Sequence, residues 1–189
     1  MTQIITSTDP RTSQGDIYRD VDFIEHVTEA EGVIEVSRIA FPLVVVLTQD
    51  CDLEHDYRFR DEGAKSQDKW LLSVLVAPLY NKEHVFTGDH LSELGYKMQS
   101  IPPKSSHADF IQKNQLPRYH FLDFPAESGI VPSVIDFKHY FSVDVSYLHT
   151  CKPSTYVCTI APLYREEVSR RFASFLSRIG LPESLQLEA

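Results

Sequence analysis

The segment that most restricts the fold is Pro42-Leu43-Val44-Val45-Val46-Leu47-Thr48. Its aliphatic run is β-branched or leucine throughout, the pattern of a central strand buried on both faces. Strand character recurs at 17–24, 33–36, 70–77, 118–124, 130–135, 137–148 and 155–160, with Glu31-Gly32 at a turn. Two helices are expected against these strands. One lies within 81–98 and breaks near Gly88. The other spans 162–179, where Pro162 suits the first helical position and Leu163, Val168, Phe172, Leu176 and Ile179 make an apolar face. Glu166–Arg170 and Glu167–Arg171 have i,i+4 spacing, and Gly180 and Pro182 suit its end. The expected fold is therefore mixed α/β (α+β): a strongly bent, mainly antiparallel sheet with packed helices, including a C-terminal one. A sandwich-like α+β fold is the alternative.

The chain's 189 residues suit one hydrophobic core. Residues 1–14 are polar and turn-rich and read as a flexible arm. Residues 15–189 read as a single domain with an insertion around 81–117. The start lacks a basic run and a useful apolar stretch, and no apolar run is long enough to span a bilayer. A cytoplasmic protein with no membrane partner is expected. Three cysteines, Cys51, Cys151 and Cys158, do not make a disulfide framework.

Charge is unevenly placed. Residues 1–62 hold fourteen Asp or Glu against five Arg, which accounts for the whole net charge of −9. Such a surface repels a phosphate backbone, so RNA is disfavoured and a basic protein partner is favoured.

Residues 49–69 are charged and lack a sustained period, so they read as a long loop holding at most one irregular helical turn. Their start, Thr48-Gln49-Asp50-Cys51-Asp52-Leu53-Glu54-His55-Asp56, carries four competing readings. In the first, Asp50 and Asp52 bind backbone amides in a turn and Cys51 points into the core. In the second, Cys51 and His55 on one helical turn join His149 and Cys151 on one strand face to hold zinc. In the third, Cys51 is a nucleophile with His55 or another histidine as base. In the fourth, Asp50, Asp52, Glu54 and Asp56 hold a hard cation such as magnesium, although His55 stands where an EF-hand loop needs glycine. Elsewhere, Lys104, Lys113 and Arg118 flank Tyr119 and Phe121, a composition that suits a phosphate chain with a stacked base. Ala-Pro-Leu-Tyr occurs twice, at 77–80 and 161–164, each time after a β-rich run.

Gly15-Asp16-Ile17-Tyr18, followed by Phe41-Pro42 and the aliphatic strand ending at Thr48, resembles the PemK/MazF-like toxin family. The resemblance covers about residues 15–50. It implies an SH3-like barrel, homodimers and, in active members, RNA cleavage within a toxin or defence system. It implies that Thr48 matches the hydroxyl that positions the scissile phosphate. Active members carry an arginine before the proline or nearby; Phe41 stands there, and the nearest arginine is Arg38. An endoribonuclease reading would use Thr48 and Arg38 on the phosphate and Asp50 or Asp52 as base or metal ligand. Set against it is a non-catalytic binding barrel with an acidic surface, which the charge balance favours. A metal- or cysteine-dependent enzyme is the third reading.

Overall fold

The structure is a computed structural model and describes residues 1–60 and 65–178. Its main sheet places β1 (Ile4–Ile5), β9 (Tyr156–Ile160), β2 (Asp16–Ala30), β3 (Val33–Val46), β4 (Val74–Pro78) and β8 (Phe141–Val143) in that order. Every pairing is antiparallel. β1 and β8 end the sheet without pairing to each other, so it is open and no barrel closes among the described residues. A second antiparallel sheet is ordered β5 (Tyr80–Asn81), β7 (Ser133–Asp136), β6 (Tyr119–Leu122). The five α-helices described are α1 (Asp50–Phe59), α2 (Lys82–Thr87), α3 (Ser106–Gln112), α4 (Val145–Thr155) and α5 (Pro162–Leu176). None of them is long and apolar enough to cross a membrane.

The aliphatic run lies where its composition requires. Val45 and Leu47 pack on one side with Phe137 and with Val168, Phe172 and Phe175 of α5. Val44 and Val46 pack on the other with Leu53 of α1 and with Val145 and Leu148 of α4. The buried stripe of α5 is Val168, Phe172 and Phe175, whereas Leu163 and Leu176 are exposed; Ile179, Gly180 and Pro182 lie outside the described residues. Arg171 does not pair with Glu167. Its guanidinium donates to the carbonyls of Asn114, Leu116 and Tyr119 and ties α5 to the chain entering β6.

Two expectations are corrected. Residues 50–59 form a regular helix, not a loop. Only Leu53 faces the core from it as an apolar residue, so no apolar period shows. Its other inner group is the buried Asp56, which accepts from the Leu71 amide (2.6 Å) and from the Arg60 guanidinium. Residues 137–148 are not one strand. β8 ends at Val143, and Asp144 caps a helix by accepting from the Tyr147 amide (3.0 Å). Val145, Leu148 and Lys152 are its buried face, at helical spacing.

Residues 1–14 run along the main sheet. β1 pairs with β9, the Thr2 amide donates to the Asp123 carbonyl (2.6 Å), and Thr12, Ser13 and Gln14 are buried. Gly15 follows at φ +81°, where a Cβ would stand 3.1 Å from that of Arg165. Its amide bonds to Val46 and its carbonyl to Ile160, so the left-handed turn delivers Asp16 to the sheet between β3 and β9. Residues 81–117 carry α2 and α3 over the second sheet, around Val85, Phe86, Ile101 and Ile111. The first Ala-Pro-Leu-Tyr crosses from β4 to β5 just before α2; the second ends β9 and starts α5.

Candidate interaction surface

The site residues read from the sequence are spread over several elements. The Thr48 hydroxyl accepts from the Leu75 amide (2.7 Å) and joins the end of β3 to β4. Arg38 lies on β3, ten residues earlier and about 30 Å of extended chain away, and pairs with Asp22 at 2.8 Å. The two therefore do not meet at one phosphate. Thr48→Ala is expected to cost about 1–2 kcal/mol in urea denaturation, because the Leu75 amide loses its acceptor. Arg38→Ala, an exposed ion pair, should change stability by less than about 1 kcal/mol.

Asp50 accepts from Arg11 (3.1 and 3.3 Å), from the Gln14 amide (3.1 Å) and from Arg165 (3.3 Å). Burial pushes its pKa up, but these hydrogen bonds and charges outweigh it and hold the carboxyl below its usual range. It anchors the N-terminal segment to α5. Cys51 is exposed, not in the core, with its Sγ 3.8 Å from Asp52. Asp52 and His55 are also exposed.

Asp50, Asp52, Glu54 and Asp56 occupy alternate helix positions, about 200° apart around the axis, so they do not converge on one cation. Cys51 and His55 share a face of α1, as i,i+4 residues do. His149 and Cys151 lie on a helix, where i,i+2 residues diverge. His149 meets Tyr57 edge-on at 5.5 Å, and Cys151 donates toward the Leu148 carbonyl. No three of Cys51, His55, His149 and Cys151 come within reach of one metal ion. The basic-aromatic patch is also occupied internally, since Lys113 pairs with Asp109 and Arg118 with Asp136. Among the described residues, the group that can share an ion is His90, Asp136 and His139, which sequence reading did not single out. These three come from separate segments, and no spacing links them.

A second feature is the outer part of the β2–β3 hairpin. Glu31 (φ 54°) and Gly32 (φ 77°) are both left-handed, the two-residue turn that suits the twist of a hairpin. β9 pairs with β2 only over Asp16–Tyr18, and β4 pairs with β3 only over Val44–Val46. From about residue 21 to 41 the two strands therefore project as a ribbon with neither outer edge paired to another strand among the described residues. Val27 pairs with Val36, Glu29 with Ile34 and Ile24 with Arg38. That register places Ile24, Val27, Ile34 and Val36 on one face, and each is more than half exposed. The opposite face carries His26, Thr28, Glu35 and Ser37, while Phe23 and Phe41 at its base pack on Phe141. Residues 20–37 hold six carboxylates and no Lys or Arg. Exposed edges and aliphatic rows of this kind are templates for association unless charge blunts them.

The sequence matches no protein-family model and no curated protein.

Proposed function

We propose that the chain is a non-catalytic binding domain that takes a basic, partly apolar protein segment on the β2–β3 ribbon. The observation that carries the reading is the row Ile24, Val27, Ile34 and Val36, bare to solvent and set among six carboxylates from 20 to 37, of which only Asp22 is neutralised, by Arg38 at the base of the row. An apolar row supplies burial, and the acid around it selects lysine or arginine in the partner and speeds encounter. A second copy brings the same acidic ribbon and is repelled, so a homodimer through this face is disfavoured, as is RNA. The acidic surface is thus the ribbon and not Asp50 to Asp56, where Asp50 and Asp56 are consumed by internal ion pairs.

The PemK/MazF-like resemblance fits this reading in one respect. Its two segments are neighbours, with Ile17 opposite Val45 and Tyr18 opposite Val44. The sheet around them is taken as an SH3-like curve left open between β1 and β8, and a place in a toxin or defence system rests on the resemblance alone. An endoribonuclease is disfavoured by the separation of Thr48 from Arg38.

The test uses synthetic peptides in which lysine alternates with valine or leucine, with glutamate-for-lysine peptides as controls. The lysine peptides are expected to bind, with affinity falling as salt rises. The variant Val27→Lys/Val36→Lys, altered at exposed positions, should bind at least about tenfold more weakly, a loss of about 1.4 kcal/mol. Equal binding by the variant, or none by the natural chain, would overturn the reading. Concentration-dependent dimers in sedimentation, abolished by the same variant, would assign the face to a second copy instead.

A further inference from the structure

Asp136 ends β7, and the turn that follows carries His139, while His90 comes from the segment after α2. One ligand atom from each of the three lies within 4.8 Å of the others. The His90 and His139 rings are 6.2 Å apart, and the Tyr80 ring sits beside both, at 4.9 and 5.7 Å. The Tyr80 hydroxyl is 3.1 Å from His139 Nδ1, and His139 Nδ1 is 3.8 Å from an Asp136 oxygen. The second sheet fixes this arrangement, because Tyr80 pairs with Val134 and Tyr119 with Asp136.

His90 is the anomaly. Both of its ring nitrogens are shielded from solvent, and among the described residues neither makes a well-formed hydrogen bond, although the His84 backbone comes close enough to raise its pKa. A neutral imidazole buried this way leaves at least its acceptor nitrogen unused, which a core histidine normally does not do. A metal ion would engage the acceptor nitrogen. Burial lowers the pKa of His90, helped by the neighbouring His139, and burial lowers that of His139 against the pull of Asp136. Asp136 is buried and accepts from Arg118 Nε (2.9 and 3.0 Å), from Arg118 Nη2 and from the Lys138 amide (3.0 Å). Arg118 stands where the outer donor stands in metal sites, orienting the carboxylate from behind. Its positive charge weakens cation binding, so a donor set rich in nitrogen is needed to hold an ion here.

We propose that His90, Asp136 and His139 form a mononuclear site for a divalent transition ion of the zinc class. Two imidazoles and one carboxylate match zinc, cobalt or ferrous iron, whereas magnesium asks for oxygen alone. His90 and Arg118 also line a cavity of about 330 Å³ with His107, Gln99 and Tyr119.

The experiment strips the full chain with chelator and titrates it with Co²⁺. One equivalent should bind with visible d–d absorption and be displaced by Zn²⁺. His90→Ala, confirmed folded by circular dichroism, should weaken binding more than about 100-fold, beyond the effect typical of losing an outer-shell partner. Cys51→Ser/Cys151→Ser should bind as the natural chain does, which separates this site from the cysteine-based one. Absence of saturable Co²⁺ binding by the natural chain, or unchanged binding by His90→Ala, would overturn the proposal. Should His90→Ala fail to fold, Zn²⁺-induced shifts of the His90 and His139 ring resonances in the natural chain decide in its place: shifts in both support the site, and the absence of a shift in either overturns it.

Discussion

Asp16→Ala is expected to destabilise the fold by about 3–5 kcal/mol, the usual result of stripping one partner from a buried ion pair. Asp16 is fully buried and Lys152 nearly so. The Asp16 carboxylate accepts from Lys152 Nζ (2.9 Å), the Ser13 amide (2.9 Å), the Thr159 hydroxyl (2.7 Å) and the Tyr18 hydroxyl (3.4 Å). The network runs further in one direction. Because the Thr159 proton goes to Asp16, the Tyr156 hydroxyl must donate to Thr159 (2.8 Å), and Tyr156 in turn accepts from the Ser7 amide (2.8 Å). Lys152 also donates to the Arg11 carbonyl and lies 5.0 Å from the Tyr156 ring. One carboxylate thus joins the N-terminal segment, β2, α4 and β9. Its removal leaves an ammonium group in the interior with no countercharge, against a total stability of about 5–15 kcal/mol for a domain. Lys152→Met should be costly for the converse reason, and the double variant should cost less than the two singles added together. Urea denaturation of the three variants measures this. A cost below about 1 kcal/mol for Asp16→Ala would show that water or an anion takes the place of the carboxylate beside Lys152.

How much of this was legible in the sequence depended on whether a residue's surroundings lie close to it along the chain. The Pro42 to Thr48 strand and α5 were, because each carries its burial in its own spacing. α1 was not: with Leu53 its only buried apolar residue, it is held by Asp56, Arg60 and the Leu71 amide. α4 was not, because its Val, Tyr, Thr and Cys residues favour strands and the Asp144 cap and the burial of Lys152 decide otherwise. The resemblance drew attention to Gly15 and Asp16, whose roles here are a left-handed turn and a buried ion-pair hub. The loop expected to carry chemistry spent Asp50 and Asp56 on internal contacts. The ribbon's apolar row was hidden because its exposure depends on where the pairing with β4 and β9 stops. His90, Asp136 and His139 meet only through the second sheet and the segment after α2, so nothing local announces them.

Acid should unfold this protein earlier than its carboxylates alone require, and His120, the most strongly shifted of its buried histidines, is the largest single reason. It lies on β6, almost fully buried, with Nδ1 lacking a hydrogen-bond partner. Burial, reinforced by the charges of Arg171 and Arg170, pushes its pKa down to about 3. The unfolded chain returns it to about 6.5. Between those values the unfolded state holds a proton that the folded state refuses, so falling pH favours unfolding. The stability supplied by neutral His120 is fully present above about pH 6.5 and drains at about 1.4 kcal/mol per pH unit until about pH 3. From pH 7 to pH 4.5 the loss is about 2–3 kcal/mol. Asp50 does not contribute in that window. Its folded-state pKa is depressed, so its share is present above the ordinary carboxylate range and is lost only below it. His120→Leu removes the titration and keeps an apolar side chain beside Phe137, whose ring lies 6.3 Å from that of His120. Whatever constant offset the substitution brings, the variant should gain about 2–3 kcal/mol relative to the natural chain between pH 7 and pH 4.5. Urea denaturation at pH steps across that range gives the two curves. Parallel curves would mean that His120 takes up its proton without unfolding, through water reaching Nδ1, and the acid sensitivity would then belong to other groups.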